Sequence, residues 1–400
     1  MWSRGFRPFF LGAALWAVVA IAIWPPFFTG EIAVPTAFSP VDWHIHEMIY
    51  GYGSAVVAGF LLTAIPNWTG RLPVAGWPLV LLATLWAIGR AAVFFSAKIG
   101  WIPAALLDSA FLLIFAAVAA REVIAGKNQR NVKVVALLLM LAAANAGFHI
   151  EAMMTGVASI SARAGLAVIV FLILLIGGRV VPSFTHNWLA RQERTVRPVP
   201  FGRPDGVVMA LSALALFLWI VDLERGVTGL LLLVAAAANF WRLSRWRGWM
   251  TRSDRLVLVL HAGFFLAALG FLFAGAHAFA PSLVPSAAAA HVWAIGAIGT
   301  MTLAMMTRAT LGHVGRALTA SRVTQFAYLA VVAAMLARIA MELLPGVMLS
   351  LMYGAAIAWI AAFAGFIAIY GPMLWHSSSG RGAVAPLPPP LPTAPSGDRL

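Results

Sequence analysis

Residues 41–66 read VDWHIHEMIYGYGSAVVAGFLLTAIP. Two histidines and a glutamate, His44, His46 and Glu47, stand at the threshold of an apolar run that carries no charge from Met48 to Pro66. A strand crossing a membrane alternates apolar and polar residues. This run is continuous and close to the ~20 residues a membrane-crossing helix needs. Ionisable groups at the edge of hydrocarbon are costly and mark function by default.

The same kind of run recurs from end to end. The chain has 400 residues, 62% of them hydrophobic and 10% charged, with a mean hydropathy of +0.92. Soluble domains are about 25% charged. The expected fold is all-α, a polytopic membrane helix bundle of about twelve transmembrane helices. The runs lie at 8–28, 43–66, 76–96, 100–120, 132–154, 163–187, 205–222, 226–241, 256–280, 287–312, 322–343 and 346–374. The pair 205–222 and 226–241 is short, which suits tilted or partly interfacial helices. The opening MWSRGFRPFFLGAALWAVVAIAIW mimics a signal peptide, but it lacks a small-residue cleavage site and its apolar run is too long. It reads as a retained first span. The transmembrane domain is expected over 1–375, followed by a Pro-rich disordered tail at 376–400.

A net charge of +14 in a soluble protein would suggest nucleic acid. Here the charge is topological. Alternate loops carry Arg4 and Arg7, Arg71, Arg121 to Lys133, Arg191 to Arg203, Arg242 to Arg255, and Arg316 with Arg322; the other set holds only Lys98, Arg163 and Arg225. That asymmetry places both termini in the cytoplasm, and no nucleic-acid partner is expected. The absence of cysteine excludes disulfides, thiolate copper sites, iron–sulfur clusters and covalently attached haem.

With this topology His44, His46, His149, His277 and His291 share the outer level, while His186, His261 and His313 lie at the inner level. Imidazole tolerates membrane interfaces, so each alone is at home there without a ligand. Convergence of several at one level of a bundle is how cofactor sites are built. His44, His46, His149 and His291 are the candidate metal ligands. His44 and His46 project about 200° apart on a regular helix, so they serve two sites flanking one span, or one ligates while the other bonds elsewhere. Outer and inner sets on shared helices suit one or two haem groups. Arg90, Arg179, Arg308 and Arg338 fall within spans, where a guanidinium snorkels or pairs with a buried anion such as a haem propionate. Glu47 and Glu151 are placed to orient ligands, and Met48 offers a thioether.

FRPFF at 6–10, HEMIYGYG at 46–53, GFLLTAIPNWTGR at 59–71 and AIGAIGTMTLAMMTRATLGHVGR at 294–316 resemble the NnrS family. That resemblance implies a twelve-helix protein of the bacterial inner (cytoplasmic) membrane with b-type haem and copper, linked to nitric oxide, denitrification and nitrosative stress. It carries over His46, Glu47 and Met48 as the family's His-Glu-Met element; His291, Arg308 and His313 accompany the matching later segment. The expected ligand is nitric oxide or a related small molecule, with a membrane electron donor as a further partner. Replacing His46 or His291 is expected to cost haem. Two other readings compete. A twelve-helix transporter or channel would use the outer histidines as a metal-entry site. An oxidase or NO reductase of the haem–copper type is weakened by the lack of an adjacent His-His pair.

Overall fold

A computed structural model describes residues 1–376. Twelve helices are long and apolar enough to cross a membrane. They are α1 Phe6–Phe28, α2 Pro40–Thr69, α3 Trp77–Phe94, α4 Trp101–Ala125, α5 Gln129–Thr155, α6 Ile160–Arg191, α7 Arg203–Val221, α8 Arg225–Ser244, α9 Arg255–Phe279, α10 Ser286–Val314, α11 Arg322–Leu343 and α12 Pro345–Trp375. No strand occurs among the described residues. The two runs that read as short form helices of 19 and 20 residues. The expected Pro-rich tail, past His376, lies outside the described residues.

Three helices make the centre. In α2, α6 and α10 alike, 72% of the most apolar window is buried inside the protein, against 33–44% in α3, α4, α7, α8, α11 and α12. Each central helix contains a π-helical stretch, at Glu47–Gly53, Ile173–Gly177 and Val292–Gly299. A π turn inserts a residue and misaligns backbone groups that must be satisfied inside lipid. Side chains do this here. Trp86 Nε1 donates to Gly51 O at 2.9 Å, Arg242 Nη1 to Leu174 O at 3.1 Å, and Thr302 Oγ1 to Ile298 O at 2.6 Å. The Arg242 charge is balanced by Asp205, whose Oδ1 accepts from Nε at 3.0 Å, tying α7 and α8 to α6.

Caps set the helix starts. Pro40 opens α2 behind Ser39, whose hydroxyl accepts from Asp42 N at 3.1 Å. Asp42 Oδ1 in turn accepts from Ala158 N at 3.2 Å, docking the start of α2 against the α5–α6 connection. At the opposite end of the bundle Arg7 ties the first helix to the last. Its Nη1 donates to Met373 O, Leu374 O and His376 O at 3.1, 3.3 and 2.5 Å, open carbonyls at and just past the C-terminal end of α12. Arg7→Ala is expected to lower stability by about 1–3 kcal/mol. Thermal unfolding in detergent checks this, and an unchanged midpoint would show that water replaces the guanidinium without cost.

Candidate functional site

Six buried polar residues converge between α2, α3, α4 and α5. Arg90 Nη1 donates to both oxygens of Glu47 at 2.7 Å, and its Nη2 donates to Asp108 Oδ1. Asp108 Oδ2 accepts from Asn145 Nδ2 at 2.8 Å and lies 3.0 Å from His149 Nε2 and 3.2 Å from His46 Nε2. His46 Nδ1 donates to Glu47 Oε1 at 3.0 Å. Both His46 and Glu47 are 0% exposed. Two small residues make room: a side chain at Gly51 would meet Arg90 Nη1 at 2.8 Å, and one at Gly89 would meet the Asp108 backbone at 3.1 Å. Phe38, from the loop before α2, sits 5.2 Å from the rings of both His46 and His149.

The polar bookkeeping of this cluster asks for a cation. His46 faces acceptors on both sides, because its Nε2 is also 3.0 Å from Asn145 Oδ1. A neutral imidazole satisfies one such side. Two carboxylates face one guanidinium, so the cluster lacks one positive charge. A second proton on the ring or a metal ion supplies it. His46, Asp108 and His149 each offer a ligand atom, and these lie within 4.8 Å of one another. Metal bonds of about 2.0–2.2 Å place neighbouring donors about 3.3 Å apart in a tetrahedral shell, near the 3.0 and 3.2 Å spacings already present. Glu47 on the far ring nitrogen of His46 is the outer partner that metal-bound histidines commonly have. The set can hold a metal ion.

A second site lies on the other side of α2. A cavity is lined by His44, Met48, Ile49 and Tyr52 of α2, Leu166 of α6, His291 and Ile295 of α10, Arg338 of α11, and Trp24, Met352 and Trp359. Its lining is mostly apolar with a few convergent polar side chains, the character of cofactor pockets. His44 is stacked on Trp24 with ring centroids 4.3 Å apart, and its Nδ1 is buried without a partner. His291 Nδ1 donates to Ala287 O at 2.6 Å, which leaves the Nε2 lone pair available. Arg338 is paired with Glu342, yet its Nε is also buried without a partner.

The family model described as NnrS protein matches residues 1–377. The chain belongs to the NnrS family. No curated protein and no solved structure matches it.

In this NnrS-family chain the remaining sequence-selected residues are dispersed. His277 Nδ1 donates to Val284 O at 2.8 Å. Glu151, expected beside His149, instead accepts from Ser159 N, Ile160 N and Ser161 N and so caps α6. At the other end of the bundle His261 Nε2 meets Thr185 Oγ1 at 2.8 Å, and His313 Nδ1 meets Arg4 at 3.1 Å. His186 is half-buried, and none of these joins a ligand cluster among the described residues. Arg179 bonds Asn131 Oδ1 at 3.2 Å, and Arg308 stacks over Phe184 at 4.1 Å. Met48 faces the cavity rather than His46. Asp108 and Asn145 escaped the sequence reading. Their signal was present, a lone acid and a lone amide inside long apolar runs, both rare at membrane depth.

Proposed function

We propose that this NnrS-family protein binds haem b and copper in the bacterial inner membrane and acts in nitric oxide metabolism or nitrosative-stress resistance. The observation that carries the reading is the cavity in which His44 and His291 both present imidazole with an unpartnered buried nitrogen or a free lone pair. His291, whose tautomer is fixed, would hold the haem iron, and His44 lines the same cavity. Bound haem supplies an iron centre able to take nitric oxide.

The chain's own residues do the rest. Ala287 O holds the Nδ1 proton of His291 and so fixes which nitrogen faces the cavity. Trp24 fixes the plane of His44. Arg338 offers its guanidinium to a propionate. Trp359, Ile295 and Met352 line the cavity with apolar surface. Copper would be held by His46, Asp108 and His149, oriented through Glu47 and Arg90. The loop-charge asymmetry supports placing this end of the bundle at the periplasmic face. A membrane electron donor would serve as partner.

The test is the visible spectrum of detergent-purified protein, recorded before and after nitric oxide. The expected result is a Soret band that shifts on addition. A purified, folded protein without a Soret band would overturn the haem reading and favour the histidine-lined transporter.

A further inference from the structure

Residues 44–52 of α2 sort into two faces. His46, Glu47, Tyr50 and Gly51 face the charged cluster: Glu47 accepts from Arg90, a side chain at Gly51 would meet Arg90, and the Tyr50 ring lies 5.3 Å from that of His46. His44, Met48, Ile49 and Tyr52 line the cavity. The two sets alternate as opposite faces of one helix do. No residue lining the cavity is a member of the cluster. The cluster draws its other members from α3, α4 and α5, whereas the cavity draws on α1, α6, α10, α11 and α12.

From this partition we infer that His46–Asp108–His149 is a mononuclear metal centre of its own, separated from the His44–His291 cofactor by the body of α2. The inference rests on the functional reading above and adds that the two centres share no bridging ligand. Two-metal sites that act on one small molecule keep their ions about 3.5–4 Å apart. A helix with its side chains is about 10–12 Å across. A diatomic bound on the cavity side therefore cannot touch a metal on the cluster side. The donor set is two imidazole nitrogens and one carboxylate oxygen, with no sulfur, because Met48 points the other way. Such a set suits Cu(II), the tightest-binding ion of its series at nitrogen and oxygen sites. Phe38 over both histidine rings covers the cluster from the loop side.

The experiment uses the full chain in detergent, incubated with Cu(II) and freed of excess. Copper and haem are determined chemically, and the oxidised protein is examined by electron paramagnetic resonance. The expected Cu(II) signal integrates to the whole of the bound copper while haem is present. His149→Ala is expected to abolish that signal and leave the Soret band in place. His291→Ala is expected to abolish the Soret band and leave the copper signal unchanged in position and splitting. A wild-type copper signal that is silenced, and returns when His291→Ala removes the haem, would overturn the inference while sparing the functional reading. Chemical analysis that finds no copper after loading would sink the metal assignment itself. Should either variant fail to fold, the wild-type integration decides alone.

Discussion

Replacing Asp108 with alanine is expected to destabilise the folded chain by about 3–5 kcal/mol and to abolish metal binding between His46 and His149. The size follows from what the carboxylate does. It accepts from Arg90, Asn145 and His149 and faces His46, all of them buried. Alanine leaves the Asn145 amide without its acceptor and leaves Arg90 with Glu47 alone. Breaking a buried charge network from one side is costly because the remaining partners stay desolvated and unpaired. Asp108→Asn keeps the shape and removes the charge, so it should lose the metal at a smaller cost in stability. Thermal unfolding in detergent and copper analysis check both variants. A loss under about 1 kcal/mol, the size of an exposed ion pair, would show that Asp108 does not organise the cluster.

His291→Ala is expected to remove most of the Soret absorbance while the protein still inserts and elutes as folded. His291 sits at the wall of the cavity with one nitrogen fixed to Ala287 O and the other available. Its replacement would remove a nitrogen able to hold the haem iron, without opening a charge network. His46→Ala should do the reverse and cost copper but not haem. The sequence grouped His46 with His291 as haem-affecting residues because both begin apolar runs at one level. Tertiary packing turns them to different neighbours, His46 toward Asp108 and His291 toward the cavity shared with His44. Equal loss of haem in His46→Ala and His291→Ala would refute this division.

Part of the site was legible before any fold was known. The 200° between His44 and His46 follows from helix geometry alone, and the structure seats them on opposite faces of α2. Arg90 stood out as a guanidinium in an apolar run. The roles of Glu151 and Met48 did not emerge. Glu151 lies two residues beyond His149 and projects about 200° away from it on a helix. Glu151 is accordingly free to cap α6 instead of reaching the cluster. The π-helical stretches were invisible as well, since an inserted residue changes the register of a helix without changing its composition.

The amino-acid sequence by itself determined the twelve helices. Hydrocarbon tolerates no unpaired backbone, and each crossing must therefore be written as a continuous apolar run that can be read locally. Which helices form the centre, and which histidine meets which acid, was decided only by tertiary structure. His46 and Asp108, like His44 and His291, come from helices far apart in the chain. Their meeting depends on the packing of α2 against its neighbours, a relation between helices that no single run encodes.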